Sequence, residues 1–268
     1  MTAHCERLTS LTVVERVTIP MRRLPQDFDG ITVAVIADLH AGARRGGVPG
    51  LKRVVEDVNA LHPDIIVLLG DMVHRARQAS RYLPLLSELK ATEGVWATLG
   101  NHEHETMWYS RNFRTAPPLS IDEWRRIYAE IGVELLVNEA RPLEKRGSRI
   151  WLVGVDDAYS KRDDLPAALQ EVDQTDFCLA ITHFPDLIDD PRIAEVDLIL
   201  AGHTHGGQVH LPFFGPLYTA CRKPRQRAAG LIRENDTTMY VTRGVGEALP
   251  VRFRCPREIP LISLRTEA

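Results

Sequence analysis

Five apolar, β-rich runs in this chain each stop at a polar residue able to bind a metal ion. Residues 31–37 lead into Asp38 and His40, 64–69 into Asp71, 95–99 into Asn101, 177–182 into His183, and 196–201 into His203 and His205. A sixth run, 150–155, has the same character. Short apolar runs bounded by turn residues read as buried strands. Amphipathic stretches lie between them. Leu51, Val54, Val55, Val58 and Leu61 follow helical spacing behind Pro49. Ser120 and Glu123 carry a capping-box signature ahead of Ile121, Trp124, Ile127, Tyr128 and Ile131, and Gly132 supplies the stop. Strands alternating with helices make this an α/β chain.

Ligands in open α/β folds gather beyond the carboxyl ends of strands, which is where these polar residues fall. Asp38-Leu39-His40 and His203-Thr204-His205 each space two candidates by two residues, which in extended backbone puts both side chains on one side. Gly70 and Gly100 precede Asp71 and Asn101, where the chain is expected to turn sharply at close quarters. Taken singly, an aspartate after a strand is usually a cap or turn residue. A chance origin does not account for four histidines and two aspartates all at strand ends. The set reads as one site for two metal ions. Oxygen and imidazole donors without thiolate suit manganese, iron or zinc.

The 268 residues, 44% of them hydrophobic, suffice for a full core as one large domain or two small ones. A formal net charge of -3 gives no overall reason to bind nucleic acid, and no stable nucleic-acid partner is expected. Cys5, Cys178, Cys221 and Cys255 are far apart, without metal-finger spacing, and read as free thiols in a reducing compartment. No apolar run approaches the roughly 18 residues that cross a bilayer, and the first residues lack the apolar stretch of a signal peptide. A cytoplasmic location, with peripheral membrane contact as an option, is the expectation.

In order, the chain carries Asp38-Leu39-His40, Gly70-Asp71, Gly100-Asn101-His102-Glu103, His183 and Gly202-His203-Thr204-His205. This ordered set resembles the calcineurin-like metallophosphoesterases. The resemblance implies one domain over 1–268 with a four-layer α-β-β-α sandwich, two mixed sheets flanked by helices. It also implies a dinuclear centre, with Asp38, His40 and His205 on one metal, Asn101, His183 and His203 on the other, and Asp71 bridging. Two dications carry +4 and the two aspartates return only -2, so the site can hold a phosphate. The neutral amide of Asn101 preserves that charge. The implied reaction is phosphoester hydrolysis by a metal-activated hydroxide, with His102 assisting the leaving group. A plain hydrogen bond from His102 to a ligand is the alternative.

Beyond the ligands, residues 202–209, 211–218, 243–246 and 252–256 are similar to a bacterial phosphodiesterase-like branch that includes UDP-2,3-diacylglucosamine pyrophosphate hydrolases. The expected substrate is therefore a phosphodiester or pyrophosphate, with a lipid-linked one as an option. A phosphomonoesterase or nucleotidase, or a non-catalytic scaffold on the same fold, is the competing reading. His74 stands where Gly-Asp-x-x-Asp is common, and no metal ligand is lost by it. Arg44 and Arg45 are candidate substrate-phosphate contacts, against the reading of solvated loop arginines. Met107, Trp108 and Tyr109 either cap the pocket or join the core. Phe213, Phe214, Leu217 and Tyr218, followed by Arg222, Lys223, Arg225 and Arg227, either meet an anionic membrane or phosphorylated lipid, or pack on their own sheet beside a solvated basic turn.

Overall fold

The first sheet of this protein runs in the order β1-β2-β15-β3-β4-β5-β6 and the second in the order β13-β14-β10-β9-β8-β7. The structure, a computed structural model, describes residues 3–7, 12–43, 50–106, 117–219, 221–223, 226–234, 237–247 and 251–267. In the first sheet the strands are β1 (Ala3–Arg7), β2 (Thr12–Met21), β3 (Thr32–Ile36), β4 (Ile65–Leu69), β5 (Val95–Thr98), β6 (Glu134–Leu135) and β15 (Arg257–Thr266). The second comprises β7 (Glu139–Lys145), β8 (Ser148–Val155), β9 (Phe177–Thr182), β10 (Leu198–Ala201), β13 (Gly230–Glu234) and β14 (Thr237–Val241). A small hairpin, β11 (His210–Leu211) and β12 (Gly215–Pro216), stands apart.

Both sheets are buried on two faces, which is why their central strands read as unbroken apolar runs. Along β3 and β4, Val33, Val35, Ile65, Val67 and Leu69 face the other sheet, while Ala34, Ile36, Ile66 and Leu68 face outward. Along β9 and β10, Phe177, Leu179, Ile181, Leu198 and Leu200 meet them in the middle, and Cys178, Ala180, Ile199 and Ala201 face the far side. Helices α1 (Leu51–Asn59), α2 (Ala79–Tyr82) and α3 (Ile121–Glu130) cover the first sheet. The second is covered more thinly, by α4 (Leu165–Ala168) and the tight turns Pro185–Asp189 and Ile193–Glu195. Three apolar layers thus separate four structural ones.

The helices form where the apolar spacing predicts. Leu51, Val54, Val55 and Val58 of α1 are buried, and the helix begins just after Gly50; Pro49 lies outside the described residues. At α3 the capping box is complete: Glu123 N donates to Ser120 Oγ at 3.3 Å, and Ser120 N donates to Glu123 Oε2 at 2.7 Å. Trp124 and Tyr128 then enter the outer core, with Ile121, Ile127 and Ile131 packed against it.

The terminal strands lie outside the sequence expectation. β15 pairs in parallel with β2 from Arg257↔Thr12 to Thr266↔Met21, and antiparallel with β3 on its other edge. Cys178, Cys221 and Cys255 are free and buried. No described helix is long and apolar enough to cross a membrane.

Trp124 is fully buried whereas Ser120 acts only at a helix end. Trp124→Ala is expected to cost about 3–5 kcal/mol of unfolding free energy and Ser120→Ala about 1 kcal/mol. Urea midpoints measure both, and equal losses would contradict the assignment of Trp124 to the outer core.

Candidate metal centre

Strands β3, β4 and β5 run parallel in one sheet, and β8, β9, β10 and β14 run parallel in the other. Their carboxyl ends bring the predicted residues together. His40 Nε2 lies 3.0 Å from His205 Nε2, and His205 Nε2 lies 3.6 Å from Asp38 Oδ1. His203 Nδ1 lies 3.1 Å from His183 Nε2. Asp71 Oδ2 stands between the two groups, 3.3 Å from His183 Nε2 and 3.6 Å from His40 Nε2. Two buried clusters result, Asp38/His40/His205 and Asp71/His183/His203, each with its donor atoms within 4.8 Å of one another, as a metal ion requires. A third grouping, His40/His74/His102, adjoins them.

The convergence has a different backbone origin from the one expected. Asp38 (φ 55°), His40 (46°), Asp71 (54°), His203 (68°) and His205 (50°) are left-handed rather than extended. Pleat alternation therefore does not aim the paired residues; tight turns do. Each such residue costs about 1–2 kcal/mol, and the surrounding hydrogen bonds hold it in place. Asp38 N donates to Gly70 O at 3.1 Å, His40 N to Asp71 O at 2.9 Å, and Gly246 N to Asp38 O at 2.9 Å. The glycines behave as expected. A Cβ on Gly70 (φ 76°) would sit 2.6 Å from Gly100 N, and one on Gly100 would sit 2.4 Å from Asp71 Oδ1.

The side chains are poised for cations. Asp38 Oδ1 and Asn101 Oδ1 are buried without a hydrogen-bond donor. Asn101 Nδ2 donates to Thr106 O at 2.8 Å, which spends the amide's donor side and leaves its oxygen available. A buried acceptor left this way is costly unless something positive meets it, so the donor set fits a metal pair. Burial pushes the Asp38 carboxyl up to about 7, with Asp71 adding to the rise against His183. Burial also opposes ionisation of Asp71, but His183, through its charge and a hydrogen bond, and His102 outweigh it and hold that carboxyl well below the usual range. Burial keeps His40 and His205 neutral, as ligands must be. His183 is pushed up in spite of burial by Asp71, Asp38 and Asp157. Its Nδ1 lies 2.7 Å from Leu69 O, which places a proton there and turns Nε2 toward Asp71.

His102 sits beside the clusters. Its backbone N donates to Asp71 Oδ1 at 2.9 Å, its Nδ1 lies 2.9 Å from His74 O, and its Nε2 is 3.9 Å from Asp71 Oδ2. Arg44, Arg45, Met107, Trp108, Tyr109 and Arg225 lie outside the described residues.

Several supporting groups escaped the sequence reading. Glu103, fully buried, accepts from Asp71 N and Gly100 N, each at 2.8 Å, and from Val73 N at 3.2 Å. One carboxylate thereby pins both glycine turns. Its place directly after Asn101-His102 was the available signal. Arg252 donates to the carbonyls of Arg243 and Gly246 at 2.8 and 2.6 Å, and Cys255 Sγ donates to His205 O at 3.3 Å. His104 and Asp156 pair at 2.6 Å.

The model of the calcineurin-like phosphoesterase family matches residues 31–207. The chain belongs to that family. This metallophosphoesterase is 29% identical to the metallophosphoesterase YkuE of Bacillus subtilis (strain 168) over 256 residues, covering 93% of the chain and 84% of that protein. It is 27% identical over 295 residues to the UDP-2,3-diacylglucosamine pyrophosphatase LpxG of Chlamydia trachomatis serovar D, at 92% and 88% coverage. It is 30% identical over 204 residues to the phosphodiesterase YaeI of Escherichia coli (strain K12), at 75% and 70% coverage. The chain spans about half the length of two further curated relatives, 48% and 56%. As a metallophosphoesterase, the protein is a hydrolase whose buried His/Asp clusters are consistent with a dinuclear site.

Glu103→Ala strips one acceptor from three buried N–H groups, each loss costing about 1–3 kcal/mol. Denaturation in EDTA should show the metal-free protein destabilised by at least about 3 kcal/mol. An unchanged midpoint would remove Glu103 from its role.

Proposed function

We propose that the protein, working as one domain, is a dinuclear metal-dependent hydrolase of phosphodiester or pyrophosphate bonds. Asp38, His40 and His205 would hold one ion, Asn101, His183 and His203 the other, and Asp71 would serve both. Oxygen and imidazole donors suit manganese, iron or zinc alike, and manganese is the ion we assign. The observation that carries the reading is the seat of Asp71 Oδ2 between two buried clusters, 3.3 Å from His183 Nε2 and 3.6 Å from His40 Nε2. The relatives LpxG, a pyrophosphatase, and YaeI, a phosphodiesterase, support a pyrophosphate or diester substrate.

When bound, the metal pair supplies charge for the phosphoryl oxygens and lowers the pKa of water. The chain does the rest. Asp71 is ionised, His40 and His205 are neutral, and the Asn101 amide adds no negative charge, so the site retains the positive charge that draws a phosphoester. His102 is held from behind by His74 O, which keeps one proton on Nδ1 and leaves Nε2 on the Asp71 side. A second proton, carried at Nε2, goes to the departing oxygen.

His102→Ala should retain two equivalents of metal by elemental analysis and lose a factor of about 10²–10⁴ in kcat; loss of metal would make His102 a ligand instead. Asp71→Asn should lose both ions. Hydrolysis of bis-p-nitrophenyl phosphate, p-nitrophenyl phosphate and a UDP-linked lipid, compared by kcat/KM with manganese, separates diesterase, monoesterase and pyrophosphatase. No turnover with manganese, iron or zinc, in protein holding two ions, would sink the catalytic reading.

A further inference from the structure

Six large apolar side chains are more than half exposed among the described residues, and all belong to two adjacent segments. Phe213, Phe214, Leu217 and Tyr218 lie on or beside the β11–β12 hairpin, and Val251 and Phe253 lie on the strip before β15. The segments are joined by the Val209↔Phe253 bridge and by hydrogen bonds from His210 N to Phe253 O at 3.0 Å and from Phe253 N to Gln208 O at 2.8 Å. Phe213 is fully exposed at the hairpin tip on a left-handed backbone (φ 68°). An apolar tip displayed against both solvation and backbone preference calls for a partner.

Charge selects among partners. The chain carries -3 overall, yet it has no acidic residue from 198 to 233 or from 248 to 257. Arg222 and Arg254 are exposed on the segments that carry these apolar groups or directly follow them. The acids that approach from beneath are largely covered. Asp186, Asp189 and Glu234, with side chains 4%, 28% and 19% exposed, close on Arg227, which is itself fully buried, and Lys223 adds a 2.7 Å bond to Glu234. Asp189 also stands 3.7 Å from Arg222. This clasp moors the segment after the hairpin to the Pro185–Asp189 turn, just beyond His183. A second copy docked through a two-fold would set the cationic rim against itself. Exposed aromatic and aliphatic groups on segments that carry basic and no acidic residues suit the headgroup level of an anionic bilayer.

We propose that the β11–β12 hairpin with residues 251–254 is a docking surface for an anionic lipid bilayer. The same segments touch the centre: His210 Nε2 contacts Gly206 O, and Cys255 Sγ donates to His205 O. Docking would therefore bear on the turn that carries His205. The inference is independent of the catalytic reading.

Sedimentation with phosphatidylcholine vesicles, with and without phosphatidylglycerol, tests it on the full chain. Binding is expected only with the anionic lipid, to weaken as salt rises, and to fall at least roughly tenfold in F213S/F214S. R254E should bind more weakly while keeping the wild-type melting temperature. Manganese-dependent hydrolysis of bis-p-nitrophenyl phosphate in solution should be unchanged in F213S/F214S, so a catalytic failure would be seen separately. The proposal is overturned by no binding to anionic vesicles, by equal binding to pure phosphatidylcholine, or by a wild-type dimer in sedimentation velocity that F213S/F214S dissolves.

Discussion

The carboxylate of Asp71 is the contact on which the architecture of the centre depends. Its Oδ2 faces histidines from both sheets, its Oδ1 accepts from His102 N, and its own N–H is taken by Glu103. Every member of that arrangement is buried, so each charge or dipole needs a partner close by. The two sheets are bound to each other by apolar packing over most of their area. At the strand ends that packing gives way to polar groups, and Asp71 ties the two edges together there.

Much of this was legible in the chain. Five strand ends, both glycine turns and the helix spacing of α1 and α3 appear where the apolar runs and caps predict. Periodicity is a local property, and these features are local. The reason the ligands converge was not legible: two-residue spacing suggests pleat alternation, whereas five left-handed residues make the turn. Left-handed conformation at Asp and His leaves no mark in composition, because long-range hydrogen bonds such as Asp38 N to Gly70 O impose it.

The supporting groups were hidden for a related reason. Glu103 next to Asn101-His102 has the sequence appearance of one more acid, and only burial turns it into an acceptor for three backbone donors. Arg227 reads as part of a solvated basic turn, yet it is fully buried among three carboxylates. In contrast, the exposed hairpin combines aromatic and basic residues openly, and the structure separates the buried arginine from those at the surface.

The pairing of β2 with β15 bears on how the protein is made. β15 fills the place between β2 and β3, so the first sheet has a gap until residues 257–266 arrive. Closing so long a loop is slow. During synthesis β3 would wait with one edge open, and an open apolar strand edge invites pairing with other chains. Asp38 and His40 follow directly on that strand, so the edge left bare is the one that leads into the centre. That edge is exposed to mispairing for as long as it stays bare.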